Sequence, residues 1–336
     1  MKAFLIRRLL ILPVTMLGIS LLTFVILQLA PGNPINIRLM KMQGTMSSQS
    51  VPQEIIDQTK KMYGLDKPLW KQYLLWTSRM VRFDFGTSYK DRRPVLSKIG
   101  EALPITIQLN LASIFIVYAL SIPLGIFSAT KSGTLIDRTS TVILFLLYSL
   151  PDFWVAMLLI YFLGSGQYVE WFPVYGLNSL GAENWAFFPW LMDRLWHMIL
   201  PVFCLSYGSF AYISRFMRSD MIETIRQDYI RTARAYGFSE RVIAYKYALR
   251  NSLISMITLI ATLLPALIGG SVIIEKIFSI PGMGRLFFEA VLSRDYPLVM
   301  GIVTISAVLT LFGLILQDVL YAVVDPRIRY GASHRA

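Results

Sequence analysis

The chain has 336 residues, of which 55% are hydrophobic and only 15% are charged, and its net charge is +12 at pH 7. Soluble domains carry about 25% charged residues, so the composition excludes the two soluble domains that the length alone would permit. The apolar residues are gathered into long uncharged runs. This pattern predicts an all-α integral membrane protein whose basic excess lies in cytoplasmic loops rather than on a nucleic-acid-binding surface.

The first transmembrane helix is predicted at residues 9–30, an uncharged run of 22 residues that follows Lys2, Arg7 and Arg8. At about 1.5 Å per residue, this length spans a hydrocarbon core of about 30 Å. A signal peptide would have a shorter apolar core and a cleavable site of small residues, whereas this run ends in the turn sequence PGNP at residues 31–34. We therefore expect the amino terminus to lie in the cytoplasm.

A polar insertion follows at residues 31–100, and we expect it to be helical and extracytoplasmic. Ser50 and Gln53 have the spacing of a capping box, and Gly64 is a suitable end for that helix. Five apolar residues recur at steps of three and four and share one helix face: Leu69, Tyr73, Trp76, Met80 and Phe83. This face packs either on the membrane surface or a sister subunit, or on the insertion itself.

Five further spans complete a prediction of six transmembrane helices. They are residues 102–130, 139–169, 195–214, 252–274 and 296–317. Pro104 and Pro123 are expected to kink the second span. In this topology the cytoplasmic tails and loops hold sixteen lysines and arginines, against four in and beside the outer loops at 170–193 and 275–297. The positive-inside rule therefore places both termini in the cytoplasm.

Polar residues inside the apolar runs are candidates for a substrate path. Asp152 is an ionisable residue within the third span, which is costly unless the side chain faces water or a partner. The Asp152 side chain either lines the path, or is in contact with water near the outer end of the span, or pairs with another residue within the helix bundle. The predicted translocation path, chosen by polarity alone, is Gln108, Asn110, Asp152 and Ser206.

The stretch between the fourth and fifth spans, YIRTARAYGFSERVIAYKYALRNSLIS at residues 229–255, is polar and basic. Gly237 can take the left-handed conformation that ends a helix, and Phe238 can fold back toward Ala233. Ser239 is then an N-cap, with Glu240 in the first turn of a second helix, where the helix dipole favours a negative charge. The sequence predicts a helix–turn–helix shaped to enter a cleft in a partner; the alternative is a solvated basic loop.

This loop resembles the cytoplasmic coupling loop of ABC-importer permeases, whose motif is E-A-A-x-x-x-G. Arg231-Thr232-Ala233 and Gly237 stand at that spacing, and an arginine in place of the glutamate is similar to the oligopeptide/dipeptide/nickel branch. Ser255 departs from that branch, which usually has proline there. The resemblance extends to residues 30–34, 275–284 and 325–327, and residues 63–68, 82–86 and 293–297 resemble most the permease of importers for peptides and microcin C.

The resemblance implies the type I ABC importer permease fold in the bacterial inner membrane. It divides the chain into a cytoplasmic tail with the first helix (1–30), the extracytoplasmic insertion (31–100), a five-helix core (101–322) with its coupling loop at 219–250, and a cytoplasmic tail (323–336). The implied function is the passage of oligopeptides or dipeptides by alternating access. The same machinery carrying nickel or another small solute is the alternative.

The resemblance also implies the partners. These are a second homologous permease forming a heterodimer, two ATPase subunits, an extracytoplasmic solute-binding protein, the peptide and membrane lipid. ATP and Mg would be bound by the ATPase subunits, so this chain is expected to bind no cofactor. The expected coupling contacts are Arg231, Thr232, Ala233, Arg234, Ala235, Gly237 and Phe238. Ala233 would keep the helix thin and Gly237 would form the turn, or both would serve only the loop's own fold. Arg231 and Arg234 would pair with charges of the ATPase, and Phe238 would be a hydrophobic anchor.

No motif for independent chemistry is present in the sequence. It has no G-x-x-x-x-G-K-[ST] phosphate loop, no H-E-x-x-H and no G-x-S-x-G. Cys204 is the single cysteine, and His197 and His334 are the only histidines, so neither a disulfide within the chain nor a histidine metal site is expected. A membrane-embedded hydrolase would need a nucleophile and a base, or two acids, at one depth, whereas Asp152 and Asp318 fall near opposite faces of the predicted topology. A passive channel is the remaining alternative.

Overall fold

The computed structural model describes residues 2–29, 66–263, 267 and 269–324, and the described chain is helical apart from loops and one isolated antiparallel bridge between Thr87 and Pro94. The predicted turn at 31–34, the capping box at Ser50 and the 325–327 tail lie outside the described residues. The helices, in chain order, are Lys2–Leu29 (α1), Leu69–Met80 (α2), Val95–Thr130 (α3), Leu135–Ser149 (α4), Asp152–Leu163 (α5), Phe187–Ile225 (α6), Asp228–Ala235 (α7), Glu240–Val242 continued by the π-helical Ile243–Ala248 and by Leu249–Leu263 (together α8), Val272–Ile277 (α9), Met283–Leu292 (α10) and Tyr296–Val324 (α11).

Within the described residues, four helical segments are long and apolar enough to cross a membrane. They are Leu10–Leu29, Val95–Thr130, Phe187–Ile225 and Tyr296–Val319. A fifth span results if α4 and α5 count together, although they meet at an angle of 95°. The predicted span at 252–274 includes residues 264–266 and 268, which are not described, so the total of six spans stays a prediction.

The third span, predicted at 139–169 with an interruption at Asp152, consists of the two helices α4 and α5. The helix breaks between Ser149 and Asp152, because Leu150 is extended (ψ 132°) before Pro151. A residue before proline is disfavoured in the α conformation, and proline has no N–H to continue the ladder. Asp152 is therefore the first residue of α5, and it is exposed within this chain.

Three other predicted boundaries differ from the structure. The fourth span, predicted at 195–214, belongs to the 39-residue helix α6, which extends in both directions. The fifth, predicted to 274, is helical in the described residues as far as Leu263, and Gly269 and Gly270 lie in non-helical chain, consistent with the low helix propensity of glycine. The loop predicted at 275–297 instead contains α10, which begins after Gly282.

The chain divides into two compact units: Met1–Pro104 with Gly282–Leu311 (unit 1), and Ile105–Pro281 with Phe312–Ala336 (unit 2). In unit 1, only part of the predicted apolar face of α2 packs against other residues. The Tyr73 hydroxyl lies 3.0 Å from the Ser20 hydroxyl of α1, and Trp76 and Met80 pack on the core of this unit. Leu69 and Phe83 are exposed, and Phe83 lies beyond the helix end with φ +57°. The face therefore packs mainly on its own chain.

Asp295 fixes the end of the insertion in unit 1. Its side chain is fully buried and accepts hydrogen bonds from the Ser88 hydroxyl and, at 2.9 Å, from the Tyr89 backbone N–H. It also accepts one from the Leu298 N–H in the first turn of α11, at 3.4 Å. A buried carboxylate is tolerated when several donors satisfy it, so Asp295 joins the insertion to the last long helix.

Unit 2 contains the polar segment between α6 and α8. Helices α3 and α6 approach closely at Gly125, where an added Cβ would lie 2.6 Å from the Met217 side chain. One apolar cluster includes residues from α3, α6, α7 and α8, among them Met217, Met221, Ile230 and Ile243. The polar segment is therefore built onto the same core as the apolar helices.

Candidate functional site: the polar helix pair between α6 and α8

The turn between α7 and α8 is a Schellman motif centred on Gly237. Gly237 has φ +80°, its N–H donates to the Arg234 carbonyl at 2.9 Å, and the Phe238 N–H donates to the Ala233 carbonyl at 3.3 Å. These two bonds satisfy carbonyls that a helix end leaves open, and the left-handed conformation is free of Cβ strain only for glycine. The predicted helix–turn–helix, with Phe238 folded back toward Ala233, is confirmed.

Ser239 and Glu240 start the second helix as the sequence indicates. The Ser239 hydroxyl accepts a hydrogen bond from the Val242 N–H at 3.5 Å, and Glu240 lies in the first turn. The Glu240 carboxylate also accepts two hydrogen bonds from Arg234, at 2.8 Å from Nε and 3.1 Å from Nη2. This bidentate pair bridges the turn and lowers the pKa of the Glu240 carboxyl.

The Arg234–Glu240 pair gives the turn a pH dependence. Because the carboxyl pKa is lower in the folded state, its contribution to stability is present above the unfolded value of about 4.3 and is lost as the pH falls through the lowered folded value. We expect Glu240→Gln to reproduce that loss at neutral pH, by at most about 1 kcal/mol because the pair is exposed.

Hydrogen exchange of the Gly237 and Phe238 amides measures this effect, since their bonds close the turn. Exchange should quicken by up to about fivefold in Glu240→Gln, which is the kinetic equivalent of about 1 kcal/mol. The matched control is Asp228→Asn, which removes the exposed partner of Arg231 at 3.4 Å in the same helix. Equal exchange rates in wild type and Glu240→Gln would contradict the bridging role.

Helix α7 is seated on its neighbours through one face. Ile230 and Ala233 are buried, and both belong to the apolar cluster shared with α6 and α8. The small side chain of Ala233 thus faces inward, which favours the alternative that it serves the loop's own fold rather than a partner. Phe238 stays 44% exposed, and its ring lies 5.4 Å from that of Tyr247.

The other predicted coupling residues lie on the free surface of this chain. Arg231, Thr232, Arg234, Ala235 and Gly237 are all exposed. Their exposure leaves them accessible to a second protein. The charge of Arg234, predicted to pair with a partner, already has an acidic neighbour in Glu240.

Two hydroxyl contacts join α6 to α8 beneath the turn. The Thr224 and Ser252 hydroxyls lie 3.1 Å apart, and the Ser255 hydroxyl donates to the Asp220 carboxylate at 3.0 Å. Ser255 is the position where the related branch usually has proline, so the departure supplies a polar contact between helices.

Two features of this region were not predicted. The first is the π-helical stretch Ile243–Ala248, a form that often marks functional sites; no local sequence signal announces it. The second is a charge pair between Arg218 of α6 and Asp137 of α4, with both contacts at 2.6 Å and Asp137 almost fully buried. Asp137 lies between the predicted spans at 102–130 and 139–169, and no role is predicted for it from the sequence. Its position three residues after the N-cap Thr134, in the first turn of a helix, is the signal that could have located it.

Three of the four residues of the predicted translocation path have separate hydrogen-bond partners, and the fourth, Asp152, is exposed. Gln108 accepts hydrogen bonds from Arg194 at 2.8 and 3.0 Å, and Asn110 donates to the Leu267 carbonyl at 2.8 Å. Ser206 is buried and lies 2.9 Å from the Ser113 hydroxyl, while Asp152 is exposed at the break before α5.

Asn110 alone among the four lines a cleft, which lies between α3, α6 and α8 within unit 2 and has a volume of about 330 Å³. Ser113, the partner of Ser206, lines it too. In the part of the chain that the structure describes, no group of three or more His, Cys, Asp or Glu side chains is arranged to hold a metal ion.

Comparisons with known proteins agree with this arrangement. The family model described as "Binding-protein-dependent transport system inner membrane component" matches residues 121–330, and the model of the N-terminal part of such components matches residues 1–110. The oligopeptide transport system permease AppB of Bacillus subtilis is 41% identical, over 98% of this chain and 100% of its own. The dipeptide transport system permease DppB of Escherichia coli K12 is 34% identical, over 98% and 99%.

Two further similarities complete the comparison. The inner membrane ABC transporter permease YejB of Escherichia coli O157:H7 is 34% identical, over 98% of this chain and 99% of its own. A chain of the MetNI methionine ABC transporter in an inward-facing crystal form matches with a TM-score of 0.52 and 16% identity, covering 68% of this chain and 97% of that one. At this identity the structural match shows the fold alone. The finer resemblance to importers of microcin C stays a prediction.

Proposed function

Because the chain belongs to the family of binding-protein-dependent transport system inner membrane components, we propose that it is the transmembrane permease subunit of an ATP-driven peptide importer. The observation that carries this proposal is the match to oligopeptide and dipeptide permeases over nearly the full length of both chains. The chain forms one half of the translocation path and receives oligopeptides or dipeptides from a solute-binding protein. It catalyses no reaction itself.

The helix pair α7–α8 is the contact with the ATPase subunits in this proposal. Support comes from its seating on the core of unit 2 and from the exposure of Arg231, Thr232, Ala235 and Phe238 beside the Gly237 turn. A segment that is closed by a Schellman motif and tied to both flanking helices moves with them. The closure of the ATPases on ATP, with its Mg ion, therefore shifts α6 and α8.

The arrangement of the complex follows from the same reasoning. A second, homologous permease completes the path, and both termini of this chain lie in the cytoplasm with α7 on the same side. The excess of lysine and arginine in the loops on that side supports the orientation. The insertion after α1 faces the solute-binding protein.

Reconstitution of the whole complex tests the function. The chain is co-expressed with the second permease, the ATPases and the binding protein, purified through a tag on this chain, and placed in proteoliposomes. We expect the ATPases to co-purify and radiolabelled tripeptide to accumulate only with ATP and the binding protein. Accumulation of nickel ions in place of peptide would overturn the substrate, and purification without ATPases would overturn the importer.

A further inference from the structure

The cleft between α3, α6 and α8 has a mixed, uncharged lining. Polar groups come from Asn110, Ser113, Tyr118, Ser209 and Tyr212, and the remaining wall is aliphatic, including Leu259 and Leu263. The lining residues that the structure describes include no Asp, Glu, Lys or Arg. A volume of about 330 Å³ lies at the lower end of the range of small-molecule sites. The cleft suits a neutral group with an apolar body and few polar atoms.

Tyr118 provides a separate observation in the same cleft. Its side chain is 7% exposed, and its hydroxyl is buried with no hydrogen-bond partner among the described residues. Buried hydroxyls in folded proteins almost always have a partner, because leaving one unsatisfied costs free energy. The hydroxyl therefore requires a polar atom that the described residues do not supply.

The unpartnered hydroxyl of Tyr118 distinguishes between possible occupants of the cleft. A lipid acyl chain or an apolar helix face would cover the aliphatic wall, but it would bring no polar atom to the Tyr118 hydroxyl. A peptide backbone supplies a carbonyl and an N–H beside an apolar side chain. It therefore matches both the wall and the hydroxyl.

We propose that this cleft binds one or two residues of the transported peptide, with the Tyr118 hydroxyl hydrogen-bonded to a peptide group of the solute. This inference rests on the proposed function and adds to it a place and a chemical preference: neutral side chains enter the cleft, and charged ones do not. One hydrogen bond and a small apolar contact keep the affinity low, so that the solute can leave.

Thiol accessibility in the assembled transporter tests the proposal. Ser209 is exposed at the cleft, so Ser209→Cys is made in a Cys204→Ala background whose uptake has been verified. A charged, water-soluble methanethiosulfonate should modify the new thiol. Trialanine with the binding protein and ATP should slow the modification at least about fivefold, and trilysine should protect much less.

The variant Tyr118→Phe then measures the contribution of the hydroxyl to peptide binding. It should raise the trialanine concentration needed for protection by about two- to tenfold, the expected loss of one hydrogen bond. The matched control is Tyr148→Phe on α4, where the side chain is 61% exposed and does not line the cleft; this variant should leave protection unchanged.

The outcomes distinguish a failure of the proposed peptide cleft from a failure of the proposed function. A Ser209→Cys thiol that is unreactive in every state, or protection that Tyr118→Phe does not weaken, overturns the cleft while peptide uptake continues. A wild-type complex that accumulates no peptide overturns the proposed function, and the cleft assignment with it.

Discussion

Replacing Gly237 with valine is expected to abolish peptide uptake and peptide-stimulated ATP hydrolysis, while the chain still inserts into the membrane. Gly237 has φ +80°, and an added Cβ would meet no atom within 4 Å, so the effect comes from the backbone and not from a clash. The left-handed conformation costs an ordinary residue about 1–2 kcal/mol, and β-branched residues are outliers there. The turn would open and α7 would lose its fixed angle to α8.

Two controls distinguish this effect from general strain. Gly237→Asn should retain most of the uptake, because asparagine visits the left-handed region readily. Gly181→Val imposes similar strain at φ +82°, also with no atom near the added Cβ, in the loop before α6 and away from the helix pair. Uptake and ATPase rates are measured in proteoliposomes at matched protein. Normal uptake by Gly237→Val would remove the coupling role of the turn.

Replacing Asp137 with alanine is expected to destabilise the chain by about 3–5 kcal/mol, because it leaves the largely buried charge of Arg218 without its acidic partner and with only the Ser132 hydroxyl, 3.3 Å from Nη2, as a hydrogen-bond acceptor. The Asp137 side chain is 4% exposed and that of Arg218 is 19% exposed, so solvent compensates for little of the loss. The measurement is the thermal unfolding midpoint of the detergent-solubilised protein, together with the amount recovered from membranes.

A double variant distinguishes the net contribution of the Asp137–Arg218 pair to stability from the cost of leaving one buried charge unpaired. Asp137→Ala with Arg218→Met removes both charges and should recover most of the lost stability. Asp228→Ala breaks the exposed pair with Arg231, whose side chains are 94% and 75% exposed, and should change stability by less than about 1 kcal/mol. Equal midpoints for Asp137→Ala and Asp228→Ala would show that burial of the α4–α6 pair does not matter.

The local features of the helix pair could be predicted because each depends on neighbours in sequence. Gly237, Phe238, Ser239 and Glu240 specify a helix end and a helix start within four residues, and the structure has both. The long apolar helices could be predicted from uncharged length for the same reason.

The features that the sequence did not reveal depend on contacts between distant residues. Asp137 and Arg218 are 81 positions apart, and the inward direction of Ala233 depends on how α7 lies against α6 and α8. The interruption at residues 150–152 has a local signal in Pro151, but the angle of 95° between α4 and α5 has none. Tyr118 looked like one more aromatic residue in an apolar helix, and only its missing partner distinguishes it.

The pairing of Arg234 with Glu240 also bears on how a second protein would recognise this end of the chain. With that positive charge neutralised at the turn, the exposed aromatic rings of Tyr236, Phe238 and Tyr245 lie beside the exposed cations Arg241 and Lys246. Association through aromatic surface is driven by burial of apolar area, which salt does not screen, whereas attraction between exposed charges fades with ionic strength. The aromatic contribution to such an association would therefore persist as the salt concentration rises, while the contribution of the cations would weaken.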